Sequence, residues 1–290
     1  MESMTNRRAS AVLALLLLSG CTSATTPPAD RVTSEVTEPT AEVRSLVLPF
    51  DRYELSPQEF FLADGALDLL VLECMRERGF DWKVIKRPTG AQDLRNRRRY
   101  GVIEMNVATR YGYEAPPIPR DQDTARMKNE RYDQLSRTEK VAAFGTKDSE
   151  GCMEMASRAL YGDSHANYKR FTNYHREVHY GAKKRPPVSR ALGSWSTCME
   201  LKGYDYKDPA EAIDDQGWRS KDGRRGTPRE VALAVADVTC KQQSGLVKKW
   251  FSMEKELENL KIKNNSDYFR GLLKEKVKLM EKVRAIHAAA

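Results

Sequence analysis

The chain has 290 residues, 31% charged and 40% hydrophobic, with a net charge of +8 and a mean hydropathy of −0.66. That balance excludes a membrane-embedded bundle and fits one large or two small domains. Ala, Glu, Lys, Arg, Leu and Met dominate the periodic segments, which argues against a β-rich fold and for an all-α one.

At the N-terminus, Arg7 and Arg8 precede a ten-residue apolar run, Ala9 to Leu18. A membrane-crossing helix needs about 20 residues, so this run is a signal h-region and not a span. Leu18-Ser19-Gly20-Cys21 then reads as a lipobox, with residues 1–20 as the lipoprotein signal peptide and Cys21 as the lipidated residue. A diacylglyceryl group there, with a further acyl chain such as palmitate, gives an anchor that one chain alone would not. Cleavage removes Arg7, Arg8 and Glu2, so about 270 residues with a charge near +7 remain. The expected location is extracytoplasmic, on the outer face of the cell membrane.

Residues 21–45 carry Thr, Ser, Pro, Ala and Glu without periodicity and read as a disordered linker behind the lipidated cysteine. As a flexible coil its reach is about 25–30 Å. Residues 46–182 form the first expected helical half. Ser56-Pro57-Gln58-Glu59 is a capping box with Pro at the first helical position, opening a helix that runs to Gly79. Between Trp82 and Ser136 the prolines and glycines predict a long excursion with one or two short helices, including the basic run Arg95 to Arg99. Helices are expected near Asp148–Tyr161 and Ser164–Tyr180, and the basic stretch Lys183 to Pro187 is the candidate boundary.

Residues 187–290 form the second half, with a long C-terminal helical segment. A helix ends at Gly203, Asp208 caps a short one, Lys221 to Gly226 is a charged turn, and Thr227-Pro228-Arg229-Glu230 is another capping box. Leu246, Trp250, Met253, Leu257 and Leu260 then recur at alternating spacings of four and three, and Asn264-Asn265-Ser266 interrupts the stripe. Phe269, Leu272, Leu273, Val277, Met280 and Val283 resume it. One long helix or two helices meeting near Asn264 would fit. The 246–283 stripe either packs on the protein's own helices or docks another envelope protein.

Four cysteines besides Cys21 allow three disulfide pairings in an exported chain. An internal repeat favours one of them: Cys74-Met75-Arg76-Glu77-Arg78-Gly79-Phe80-Asp81-Trp82 parallels Cys198-Met199-Glu200-Leu201-Lys202-Gly203-Tyr204-Asp205-Tyr206. Each copy closes a helix with a cation and then Gly, and each is followed by one further cysteine in a helical context. The expected bridges are therefore Cys74–Cys152 and Cys198–Cys240. No pair has the C-x-x-C spacing of a zinc site.

This Cys-Met-x-x-x-Gly-aromatic-Asp element resembles uncharacterised secreted lipoproteins of actinobacteria. So do Tyr100-Gly101-Val102, Tyr111-Gly112-Tyr113, the Ala142–Cys152 segment and Glu230–Lys241. The resemblance extends from about Pro49 to the C-terminus and implies a lipid-anchored, mostly helical envelope protein. It transfers no reaction.

Candidate chemistry is sparse. His175 and His179 share a helical face and are the candidate metal pair, but Glu177 between them is not in the zincin position, and His165 lies well upstream. Ser252-Met253-Glu254-Lys255 spells S-x-x-K without the companion elements of penicillin-recognising enzymes. No nucleotide fingerprint occurs and no cofactor is implied; nucleic acid is excluded as a partner by the expected location. Arg95 to Arg99 and Lys183 to Arg185 could meet an anionic wall polymer or lipid headgroups. The expectation is an all-α, disulfide-stapled helical bundle with a long C-terminal helical segment, preceded by a disordered tether. It would be a non-catalytic binding or structural module; the alternative is a cell-wall-active hydrolase using carboxylates the sequence does not single out.

Overall fold

The computed structural model describes residues 38–120, 122–162, 165–218 and 226–290. The signal peptide, Cys21 and most of the linker lie outside these residues, as does the body of the charged turn at 221–225. The described residues hold twelve α-helices and no β-strand. They are α1 (Ala41–Ser45), α2 (Pro57–Glu77), α3 (Met105–Tyr111), α4 (Thr124–Gln134), α5 (Arg137–Phe144), α6 (Cys152–Tyr161), α7 (His165–Lys183), α8 (Pro186–Leu201), α9 (Pro209–Asp214), α10 (Pro228–Ser244), α11 (Leu246–Asn264) and α12 (Ser266–Ala289). No described helix is long and apolar enough to cross a membrane.

Local chemistry sets the helix ends. Ser56 Oγ accepts from Glu59 N at 3.2 Å and the Glu59 carboxylate accepts from Ser56 N at 2.7 Å, the reciprocal box expected at the start of α2. At α10 the box is only half made. Thr227 Oγ1 accepts from Glu230 N at 3.2 Å, but the buried Glu230 carboxylate takes Gly226 N at 2.7 Å and Tyr113 N at 3.0 Å. Glu230, in the first turn of α10, thereby secures the loop after α3 to that helix. The two repeat copies end α2 and α8 identically. Phe80 N donates to Met75 O and Gly79 N to Arg76 O, while Tyr204 N donates to Met199 O and Gly203 N to Glu200 O. Gly79 and Gly203 sit at φ +78° and +85°, the left-handed position of a Schellman cap that disfavours any Cβ.

Both disulfides pair as the repeat implies. Cys74–Cys152 joins α2 to the start of α6, and Cys198–Cys240 joins α8 to α10. Around the first, Val71, Met75, Trp82, Ala143 and Ala156 make a core of α2, α5 and α6. Around the second, Trp195, Met199, Leu233 and Val238 belong to a larger core. Two buried aspartates hold the neighbouring tryptophans. Trp82 Nε1 donates to Asp68 Oδ1 at 2.8 Å, and Trp195 Nε1 to Asp237 Oδ1 at 2.9 Å. Asp237 also accepts from Lys241 Nζ at 2.8 Å, whose other bond goes to Val102 O at 2.9 Å. Burial pushes the Asp237 carboxyl up and the Lys241 ammonium down, each toward its neutral form.

The two expected halves interlock and belong to one compact unit. The excursion after Trp82 does contain two short helices, α3 and α4, but Tyr100, Val102, Ile103 and Val107 leave the first half to pack with α8 and α10. In return, Met280 and Val283 of α12 pack on Ala63 and Ala66 of α2 and Leu160 of α6. The boundary stretch at 183–187 shrinks to Lys184 and Arg185, because Lys183 still belongs to α7 and Pro186 opens α8. The C-terminal stripe is two helices, broken at Asn265 (φ −132°, ψ 38°). Its residues Leu246, Trp250, Phe269, Met280 and Val283 are buried against the protein's own elements.

Order also begins earlier than the linker assignment to residue 45. Thr40 caps α1, and Val43, Leu46 and Leu48 are buried. Long-range hydrogen bonds fasten this entering segment. Thr40 N donates to Glu104 Oε1 (2.9 Å), Asn96 Nδ2 to Leu46 O (2.9 Å), Phe50 N to Glu258 Oε2 (2.7 Å), and Lys276 Nζ to Glu54 O (2.6 Å).

Candidate functional site

α7 and α11 lie antiparallel. Tyr174 meets Asn265, Glu177 meets Lys261, and Gly181 faces Leu257. The pair holds two features back to back: a sealed acidic network and an open groove.

In the network, Glu254 and Glu258 stand one turn apart on α11, and neither has accessible surface. Glu254 is fully engaged. It accepts from Arg99 Nε and Tyr100 Oη, both at 2.6 Å, and lies 2.5 Å from His179 Nδ1. The His179 imidazole stacks on Trp250, ring centroids 4.8 Å apart. Glu258 accepts only from Phe50 N; its Oε1 has no hydrogen-bond partner among the described residues and is 3.8 Å from Arg99 Nη2, which has none either. Their acidities accordingly diverge. Burial alone would raise Glu254, but its bond to His179 and the Arg99 charge hold it below the usual carboxylate range. Burial pushes Glu258 up to about 8, assisted by the Glu254 charge and only partly opposed by the Phe50 N–H and Arg99.

A pair of carboxylates with separated acidities is the arrangement acid–base enzymes use. Here neither carboxylate reaches a surface from which a substrate could approach.

The groove runs along the outer seam of the same two helices and encloses about 590 Å³. Val178 and Leu257 form its floor with the bare backbone at Gly181, and Leu260, half exposed, forms one edge. Lys184 and Arg185 line the opposite edge, exposed and with no side-chain hydrogen bond or ion pair among the described residues. Lys261 and Glu177 cancel each other at 2.7 Å.

The basic run proposed for anions turns inward. Arg95 bonds Asp93 and the carbonyls of Asp51 and Leu55; Arg97 bonds Glu104 at 2.6 Å; Arg98 bonds the carbonyls of Tyr113 and Glu114; and Arg99 bonds Glu254. Carboxylates pair with Arg95, Arg97 and Arg99, while Arg98 is held by backbone carbonyls alone, so the run fastens the fold internally. Of the second basic stretch, Lys183 pairs with Asp208, which leaves Lys184 and Arg185.

The candidate metal pair is divided. His175 Nε2 faces Glu54 Oε1 at 3.5 Å, with Phe50 and Phe171 against its ring, while His179 faces Glu254. No group of three or more His, Cys, Asp or Glu side chains among the described residues is placed to hold a metal ion. Ser252 and Lys255 are exposed on α11 and do not line the groove.

Glu254 and Glu258 escaped the sequence reading, yet a signal was present. Leu246, Trp250, Glu254 and Glu258 are successive members of one i, i+4 row, so the acids continue the buried row that starts with Leu and Trp. No protein-family model, curated protein or solved structure matches the chain.

Proposed function

We propose that this protein is a lipid-anchored, extracytoplasmic envelope module that binds an anionic partner and catalyses no reaction. Cys21 is its lipid site, and the tether behind it holds the body near the outer face of the cell membrane. The lipobox supports that address, as does the likeness of the repeat to secreted lipoproteins. The two disulfides agree with it, because such bonds persist in oxidising compartments.

One observation carries the binding assignment. Folding engages every arginine between 95 and 99 with carboxylates or backbone carbonyls, but leaves Lys184 and Arg185 without a side-chain partner among the described residues, beside an apolar groove. The hydrolase reading finds its strongest support in the Glu254–Glu258 pair, and the sealing of both side chains speaks against it.

The test is photo-cross-linking in intact cells with a photoreactive residue at Leu260, followed by purification from membranes. The expected product is one reproducible adduct that the charge reversal K184E/R185E abolishes. An adduct formed from the exposed Val277 and not from Leu260 would move the site to the C-terminal stripe. Release of a Cys21→Ala variant into the soluble fraction tests the anchor separately.

A further inference from the structure

The groove's dimensions and chemistry define its occupant more narrowly. Its 590 Å³ falls in the 300–1,000 Å³ range of cavities that take one small molecule. An amphipathic helix docks through anchors at i, i+3, i+4 and i+7, spread over about two turns. The floor offers only Val178, Leu257 and the edge of Leu260, a strip suited to a single aliphatic chain. A sugar–phosphate polymer would match the cations but leave that strip uncovered. The cations, meanwhile, are confined to one edge, where Lys184 and Arg185 follow one another at the end of α7.

We infer that the α7–α11 groove binds one anionic membrane lipid, with its phosphate on Lys184 and Arg185 and one acyl chain along Val178, Gly181, Leu257 and Leu260. This rests on the reading of the groove as the recognition surface of an anchored module. Gly181 is central to it. A Cβ there would meet only Leu257 Cδ1, at 3.7 Å, an ordinary contact, so the fold itself does not require glycine at this position. Without a side chain, the floor stays open along its length.

The experiment is native mass spectrometry of the mature full-length protein in detergent, titrated with phosphatidylglycerol and separately with phosphatidylcholine. A one-to-one phosphatidylglycerol adduct is expected at concentrations at least tenfold below those at which phosphatidylcholine binds. K184E/R185E should weaken that adduct at least tenfold. Gly181→Leu should abolish it without lowering Tm, since the substitution removes a helix-interior glycine at a position where a Cβ meets only an ordinary contact. Equal affinity for the two lipids, or adducts unchanged in both variants, would overturn the assignment. Displacement of the lipid by an acidic amphipathic peptide at lower concentration would overturn it too, in favour of a protein ligand. The same spectrum reports the covalent diacylglyceryl mass on Cys21. Loss of that mass with the adduct retained removes the anchor and leaves the groove; the reverse result removes only the groove.

Discussion

The two copies of the Cys-Met-x-x-x-Gly element share a helix end and differ in how the charge beside it is neutralised. Both end a helix in the same Schellman cap, both carry a fully buried methionine after the cysteine, and both stand beside a tryptophan bonded to a buried aspartate. In the first copy, Asp68 is answered by arginines from outside its own helix: Arg131 of α4 at 2.7 Å, with its guanidinium 3.9 Å above the Trp82 ring, and Arg87 of the segment after Trp82 at 3.4 Å. In the second, Asp237 is answered by Lys241 one turn further along its own helix, sealed from solvent. Nine residues are enough to specify a helix end. How the adjoining charge is neutralised depends on segments far away in sequence.

Removing the bridges should break this comparison most severely. The chain-entropy model assigns about 4.5 kcal/mol to Cys74–Cys152 (separation 78) and about 4 kcal/mol to Cys198–Cys240 (separation 42). Urea unfolding of the two Cys→Ser double variants should place the first slightly below the second. A reversed order would show that packing around Cys240 outweighs loop length.

The aspartates should separate the copies more clearly. Asp237→Asn strands the Lys241 ammonium with one carbonyl and should cost about 3 kcal/mol. Asp68→Asn leaves Arg131 on the Lys83 carbonyl and Arg87 on Asp64, and should cost about 1–2 kcal/mol. Equal losses in thermal unfolding would mean that the arginines are as dependent on their partner as the lysine.

A pH series sharpens the contrast between carboxylates that are answered and one that is not. Above its ordinary value of 4.5 the unfolded chain has released the Glu258 proton, whereas the folded chain keeps it until about pH 8. This group therefore makes stability fall as pH rises through that window and level off beyond it. Relative to the parent, Glu258→Gln should gain stability steadily from pH 5 to 8. Parallel curves would show that the folded chain ionises Glu258 normally.

The smallest effect should be the most symmetrical. Gly79→Ala and Gly203→Ala each force a Cβ into a left-handed residue with no neighbour within 4 Å, at about 1 kcal/mol apiece. Losses that differ by more than the measurement error would mean the two caps are not equivalent.

The helical class, the bridge pattern and the α2 cap were legible because each rests on residues close in sequence or on a repeated motif. Interlocking of the halves was not, since nothing local in Tyr100–Val107 reveals that it packs on α8 and α10. The arginine run shows the same limit. Its sequence reads as an exposed cationic patch, and Glu104, backbone carbonyls and the distant Glu254 together turn it inward. The groove was half legible. Lys184 and Arg185 were among the anion candidates, but the antiparallel approach of α11 that supplies the floor is a tertiary fact.

The fastening of residues 40–54 has a mechanical consequence. Tension entering the body at Glu38 meets, in turn, bonds to Glu104, to Asn96, to Glu258 on α11 and to Lys276 on α12. These attachments come from four separate places in the chain, so a pull shares its load among them before any helix is peeled away. The body should therefore yield late under force applied from its N-terminal side, and more readily when Glu258 can no longer grip Phe50.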